Sequence, residues 1–307
     1  MGGMSSEREV SLRSGKAVAE ALVRLGHETT SVDVHDEALE DIGPERFDVA
    51  FLALHGGFGE DGRAQRILAT RGLPYTGSGP EASALAMDKW AARQALSRAG
   101  VAVADGVLIL TSTPTREASA RMAPLGWPVV MKPRHGGSSV GVTILDSEEG
   151  LPEALQAAGR EEAEAVVERF IPGREMTVGI LGERALPPVE MLTPRGFYDY
   201  EAKYQAQDTR YQVDPDMDAT ARERLQESAL RAFRALGCRG MARVDFRLPP
   251  DGDPVALELN TIPGLTERSL LPKAAAKAGI PFDSMCTALL EGALASAKAH
   301  TGQGGRT

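Results

Sequence analysis

Cysteine is nearly absent from this sequence: Cys238 and Cys286 are the two in a chain of 307 residues. They are too few and too far apart for a disulfide framework. Flanked by apolar neighbours, they read as buried thiols of a reducing compartment. Long apolar runs are missing too, and none is long enough for a membrane-spanning helix. The opening MGGMSSEREV has no apolar stretch of the signal-peptide kind, and its MGxxx[ST] pattern is too short and common to weigh as a myristoylation signal. Basic residues are outnumbered: 34 Lys and Arg against 43 Asp and Glu leave a net charge of -9. That balance argues against a general binder of nucleic acid or anionic membrane, while leaving room for a local basic pocket for a phosphorylated ligand. No internal repeat is present.

What is present is an ordinary globular composition, 42% hydrophobic and 25% charged, long enough for two or three domains. Ser6 and Glu9 match a capping box. Behind them Val10, Ala17, Ala21, Leu22 and Leu25 predict a helix that stops at Gly26. The run FDVAFLAL (47–54) suits a parallel strand covered on both faces. HGGFGEDG follows it, then a helix from about Arg63 to Thr70 and a short strand at 73–76. This is the rhythm of an open α/β domain. From about Ser78 the texture changes to one long alanine-rich helix through 82–100. Short strands in VAVADGVLIL, WPVVMKP, VGVTIL and AVVERFI follow, with a Glu- and Ala-rich helix before the last of them, the pattern of a smaller α+β domain. The last third carries the strands EMTVGIL, ARVDFRL and VALELN with helices around 219–236 and 283–298. The tail HTGQGGRT is expected to be disordered.

Several stretches carry chemistry. ARVDFRL (242–248) and VALELN (255–260) flank PPDGDP, and an Asp251-Gly252 hairpin turn makes paired positions sum to 503. Asp245 then faces Glu258 and Arg243 faces Asn260, with Val244, Phe246, Leu257 and Leu259 on the other side. Two opposed carboxylates repel unless neutralised; either the polar face meets water or a hard cation such as Mg²⁺ sits there. VVMKPRHGGSSVGV supplies Lys132, the glycines 136, 137 and 141, and the hydroxyls of Ser138 and Ser139. That set suits nucleotide phosphates, or an ordinary hairpin loop, and lacks the Walker A order. His55 closes a strand where ligands bind in open α/β sheets, and Glu7 begins a helix whose dipole favours a carboxylate. FYDYEAKYQAQDTRYQV (197–213) reads as a long loop, serving as a cover over a site or packed down on the surface. YTGSGPEASAL also fits GxGxxA, the mark of a dinucleotide-binding oxidoreductase. Pro80 inside the turn, and Asp105 further on than the usual ~20 residues, favour a plain helix start instead.

Taken in order, GGxSxEREVSL, LHGxxGEDGxxQ, YTGSGxxASALxMDK, KPxxxGSSVG, FYDYEAKY, GxARVDF and ELNTxPGxTxxSL resemble the D-alanine–D-alanine ligase family of the ATP-grasp superfamily, from about Gly2 to the last helix. The resemblance implies a three-domain α/β and α+β ATP-grasp fold. An N-terminal open α/β domain would span 1–78, a central subdomain 79–170 and a C-terminal subdomain 171–307. It implies ATP-dependent ligation of two D-alanines through an acyl phosphate, for peptidoglycan precursors, by a cytoplasmic homodimer with no nucleic-acid or membrane partner. Lys89, Lys132, Gly136, Gly137, Ser138, Ser139 and Lys203 would serve the ATP phosphates and the loop closing over them. Glu168 would contact the adenine and Glu175 the ribose. Asp245, Glu258 and Asn260 would bind two Mg²⁺ ions, with Mn²⁺ as a substitute. Glu7 and His55 would sit at the first D-alanine, and Tyr204 would join Glu7 and Ser138 in a hydrogen-bonded set. Ser269 and the Leu270 backbone would hold the second carboxylate, while Arg243 and the Gly264 N–H would face the developing oxyanion. Tyr204 resembles the dipeptide-forming type rather than variants that take D-lactate or D-serine second. The family's apolar first strand does not precede the GGxS motif here, and the expectation is a true start further upstream. A non-catalytic nucleotide-binding module is the third alternative, beside ligase and oxidoreductase.

Overall fold

A computed structural model describes all residues except 41, 138–139, 193–209, 251 and 304–307, and describes 299–303 by backbone alone. The first helix, α1 (Arg8–Arg24), begins without the expected capping box. Glu7 is the N-cap and makes no side-chain cap bond. The neighbouring Ser5 accepts from the Glu7 N–H at 3.2 Å and donates to the His55 carbonyl at 2.6 Å, so tertiary contact replaces the local motif. The helix ends at Leu25, with Gly26 at φ +85°, the left-handed position glycine fills most easily. Its buried face is Ser11, Ser14, Gly15, Val18, Ala21 and Leu22, whereas Leu25 of the expected apolar stripe is exposed. Small residues on that face let the helix approach the 53–55 segment, where Ser11 Oγ donates to the Ala53 carbonyl at 2.5 Å.

The run 47–54 is buried at Leu52, Ala53 and Leu54, as a covered strand requires. Among the described residues, however, its ladder is reduced to the parallel bridge Ala50↔Tyr75; a separate parallel bridge joins Gly2 and Val34. The Leu52 N–H goes to the Thr76 hydroxyl at 3.0 Å instead of to a neighbouring backbone. Helix α2 (Arg63–Thr70) has the expected bounds. The long alanine-rich helix is broken into α3 (Pro80–Met87) and α4 (Lys89–Arg98). Asp88 leaves the helical region, with ψ 96°, and its side chain accepts from the Ala91 N–H, a new N-cap that alanine periodicity does not announce. Pro80 is the first residue of α3, with Gly79 as N-cap, so GSGPEA is a helix start rather than a dinucleotide turn.

A four-stranded antiparallel sheet follows, in the order β1 (Gly106–Leu110), β4 (Glu164–Arg169), β2 (Val129–Pro133) and β3 (Thr143–Leu145). Helices α5 (Thr115–Met122) and α6 (Leu151–Glu161) cover it and close a core around Ile109, Met131 and Leu151. The second sheet is also antiparallel. It runs β10 (Val255–Asn260), β9 (Met241–Leu248), β5 (Arg174–Leu181), β7 (Val189–Leu192), β8 (Arg210–Val213), with β6 (Arg184–Ala185) on β5. Residues 210–213, expected in an irregular loop, thus form an edge strand paired with β7. Helix α7 (Ala219–Ala235) joins α4 and this sheet in a core around Phe233 and Phe246. Helices α8 (Leu270–Lys277) and α9 (Phe282–Gln303) share a third core with α1 and residues 34–75. The last helix continues through 300–303, the first half of the tail expected to be disordered.

The β9–β10 hairpin keeps the expected pairing at its far end: Glu258↔Asp245, Leu259↔Val244 and Asn260↔Arg243. Nearer the connection the register becomes Ala256↔Phe246 and Val255↔Arg247. Leu257 is therefore the extra residue of a β-bulge. The strands stop at Leu248 and resume at Val255, as expected, and Asp251 of the expected turn lies outside the described residues. The bulge corrects the place of Leu257. Leu257 leaves the core face, where Ala256 takes its place, and lines a cleft with Glu258. A bulge bends its strand and re-aims side chains.

Candidate active site

Between the two sheets lies a cleft in two connected parts. The inner part, about 60 Å³, is walled by Lys132 and Glu168 from the four-stranded sheet and by Glu175, Asp245 and Leu257 from the six-stranded sheet. The outer part, about 760 Å³, is walled by Glu7, His55, Arg243, Asn260, Gly264 and Ser269. Lys89, Gly137 and Glu258 border both.

In the inner part Lys132 Nζ donates to Glu168 Oε2 at 2.7 Å, and both side chains are buried. Burial is the largest single influence and opposes the Lys132 charge, but the contact with Glu168 and the nearby carboxylates of Glu258 and Glu175 together outweigh it and hold the ammonium pKa above its ordinary value. Arg247 forms an ion pair with Glu175 at 3.0 Å and stacks over Phe170 at 5.5 Å. The break at Asp88 makes Lys89 the first residue of α4, and its Nζ donates to the Gly136 carbonyl at 2.6 Å. Gly136 and Gly141 take φ of +92° and +71°. A Cβ on Gly141 would lie 2.8 Å from the Pro133 ring, so glycine is required there on both counts. Asp88 forks onto Arg134 at 2.9 and 2.5 Å, which ties the root of this loop to α4. Ser138, Ser139, Lys203 and Tyr204, all candidates from sequence, lie outside the described residues.

Asp245 is the most elaborately held group. Arg243 donates to both carboxylate oxygens, at 2.9 and 2.8 Å, and the Thr177 hydroxyl donates to Oδ1 at 2.6 Å. Glu258 stands opposite it in the register, and Asn260 Oδ1 accepts from the Ile262 N–H at 2.8 Å. Among the described residues no three His, Cys, Asp or Glu side chains converge into a metal cage. Two facing carboxylates and one amide are hard oxygen donors, and they fit an ion such as Mg²⁺ that keeps several waters.

The outer part brings together the remaining candidates. His55 is buried, with Nδ1 3.0 Å from the Ile262 carbonyl and Nε2 2.8 Å from Ser14 Oγ. Gly56 takes the left-handed φ of +71°, and a Cβ there would lie 2.8 Å from Glu7 Oε2 and 2.9 Å from Ser5 Oγ. The end of the Glu7 carboxylate therefore lies close against the Gly56 backbone, next to His55. Gly264 is similarly enclosed, with 2.7 Å between a built Cβ and Ser269 Oγ. Ser269 is the N-cap of α8, its Oγ accepting from the Thr266 N–H at 3.1 Å. Four residues that frame the site were not singled out from sequence: Ser14, Glu60, Thr177 and Arg247. The hairpin register carried a signal for Arg247, which shares a side with Asp245. Ser14 and Thr177 carried none, because a buried hydroxyl looks like any other serine or threonine. Glu60 lay inside HGGFGEDG but reads there as a turn residue.

The family models for the D-ala D-ala ligase N-terminus and C-terminus match residues 35–78 and 95–291. The D-alanine--D-alanine ligase of Syntrophotalea carbinolica is 44% identical over 95% of this chain and 94% of its own. That of an Anaeromyxobacter species is 45% identical over the same shares. Among solved structures, the D-alanine--D-alanine ligase of Bacillus anthracis complexed with ATP superposes with a TM-score of 0.84 at 33% identity, covering 98% of this chain and 97% of that one. The VanG D-Ala:D-Ser ligase of Enterococcus faecalis does so at 0.82 and 30%, covering 95% and 97%. On these grounds the chain belongs to the D-alanine–D-alanine ligase family, with its ATP-grasp fold.

Proposed function

We propose that this chain joins two D-alanine molecules into D-alanyl-D-alanine, converting ATP to ADP and phosphate, in the supply of peptidoglycan precursors. The single observation that carries the reading onto this cleft is the Arg243–Asp245 fork, held opposite Glu258 between a lysine-lined inner part and a small-molecule-sized outer part. In this reading Lys89, Lys132 and the loop from Gly136 hold the ATP phosphates, with Ser138, Ser139 and Lys203. Glu168 serves the adenine and Glu175 the ribose. Asp245, Glu258 and Asn260 hold two Mg²⁺ ions, replaceable by Mn²⁺, which supply charge neutralisation when bound.

The chain's own residues then act chiefly by positioning and charge. Glu7, beside His55, receives the first D-alanine, whose carboxylate takes the γ-phosphoryl group and becomes an acyl phosphate. Ser269 and the Leu270 N–H hold the carboxylate of the second, whose amine attacks that carbonyl. Arg243 and the Gly264 N–H meet the oxyanion that develops, and phosphate leaves. One such donor is worth about 3–4 kcal/mol in comparable sites. In the same reading Tyr204 joins Glu7 and Ser138 in a hydrogen-bonded set, and the loop that carries Lys203 and Tyr204 keeps water from the acyl phosphate. We further propose three domains, 1–78, 79–170 and 171–307, a homodimer, and a cytoplasmic site of action, to which the two unpaired cysteines are suited.

Phosphate release that requires both ATP and D-alanine, with the dipeptide identified by mass spectrometry, is the expected result. ATP turnover indifferent to amino acids would overturn the reading. The VanG relative acts with D-serine by its name, so D-serine and D-lactate belong in a competition assay, where D-alanine should prevail.

A further inference from the structure

Three serines of the α1 region are spent on one short segment. Ser5 Oγ donates to the His55 carbonyl at 2.6 Å, Ser11 Oγ to the Ala53 carbonyl at 2.5 Å, and Ser14 Oγ lies 2.8 Å from His55 Nε2. Ser14 has a further partner, the Leu265 N–H, which donates to its oxygen at 3.2 Å. On the far side of the ring, Nδ1 is 3.0 Å from the Ile262 carbonyl. Ser11 and Ser14 are fully buried, and His55 nearly so. Glu60 Oε1 lies 3.9 Å from Nδ1.

These contacts leave little freedom. A carbonyl only accepts, so Nδ1 carries a proton toward Ile262. In the neutral ring Nε2 is then a bare acceptor, and Ser14 must donate to it. The remaining lone pairs of the Ser14 oxygen receive Leu265. Both imidazole nitrogens are therefore taken up by the protein, on a path that runs from α1 through His55 to the 262–265 turn carrying Gly264.

We infer that Ser14 and His55 are positioning residues that clamp the Gly264 turn to α1. The clamp holds His55 as the Nδ1–H tautomer with neither nitrogen offered to substrate. Resting on the ligase reading, this assigns His55 a different task from contact with the first D-alanine. The Gly264 N–H is useful only if it meets the oxyanion within a few tenths of an ångström, and misplacement of about 1 Å costs roughly 100-fold in rate.

The first test uses the unmodified protein. Nitrogen-15 shifts of the histidine side chains, with His55 assigned by the loss of its signals in His55→Gln, should show protonated Nδ1 and bare Nε2. The pattern should stay the same when D-alanine and ADP are added. Protonated Nε2 with bare Nδ1, or a tautomer change on adding D-alanine, overturns the inference. The second test is Ser14→Ala. It should disturb the His55 tautomer and lower kcat/KM for D-alanine roughly 10- to 100-fold, leaving KM for ATP unchanged, with Ser14→Thr restoring part of the loss. A lowered melting temperature with kcat/KM intact would make Ser14 merely structural and also overturn it. Because the tautomer is read without turnover, absence of dipeptide synthesis would remove the ligase reading and leave the His55 tautomer to be judged separately.

Discussion

The Lys132–Glu168 pair offers a sharp test of how this cleft is held before any nucleotide arrives. The two groups are 2.7 Å apart, with side chains 11% and 9% exposed. Replacing Lys132 by methionine keeps most of the packing and leaves Glu168 as a buried carboxylate, whose nearest other cation is Arg93 at 3.9 Å. Removing one member of a buried pair costs about 3–5 kcal/mol, because the survivor's desolvation is no longer compensated. At about 1.5–2 °C per kcal/mol, from roughly 2.1 cal/mol/K of unfolding entropy per residue in a chain of 307 residues, the melting temperature should fall by about 5–10 °C. Adding Glu168→Leu removes the stranded charge, and apolar replacement of a whole pair is often neutral. The double variant should therefore recover most of the loss. Calorimetry without ATP, near neutral pH, reads this directly, since bound ligand would otherwise contribute through mass action. The pH dependence has a definite sign. The Lys132 pKa is raised in the folded protein. Its stabilising contribution is therefore complete below the unfolded value of about 10.4 and fades as pH climbs through the higher folded value. A Lys132→Met protein that melts like the parent, or a double variant worse than the single one, would refute the reasoning.

Three further outcomes are expected. Gly264→Ala places a methyl 2.7 Å from Ser269 Oγ; kcat/KM for D-alanine should fall roughly 100-fold with the melting temperature almost unchanged, and wild-type kinetics would remove Gly264 from the site. Asp245→Asn should impair Mg²⁺-dependent dipeptide synthesis across a metal titration while the fold persists, and an unaltered titration would refute the metal assignment. Burial pushes the thiol of Cys286 up to about 12 and that of Cys238 up to about 11. Both should therefore resist a thiol reagent near pH 8 in the native protein and react once it is denatured, since the thiolate is the nucleophile; fast stoichiometric labelling of the native protein would contradict this.

The sequence by itself determined much of the site's chemistry. Alternation along β9 and β10, with a turn between them, was enough to pair Asp245 with Glu258 and Arg243 with Asn260, because side chains in a ladder have a fixed period of two. Glycine and proline marked the end of α1 and the beginning of α3 for equally local reasons. Tertiary structure decided what depends on contacts between distant segments. The bulge at Leu257 turns an apparent core residue into the cleft wall, and the break at Asp88, paired with Arg134, makes Lys89 the first residue of a helix. The capping box expected at Ser6 does not form, and the neighbouring Ser5 ties the start of α1 to His55 instead. The expected strand at 47–54 gives up most of its ladder, one of its N–H groups going to Thr76. The first half of the buried face of α1 is small and polar, at Ser11, Ser14 and Gly15, so hydrophobic periodicity found only its second half, at Ala21 and Leu22. Only the folded chain shows that Ser14, forty-one residues before His55 and far from Leu265 in sequence, bonds to both. A hydroxyl's meaning lies in its partners, and those are chosen by packing.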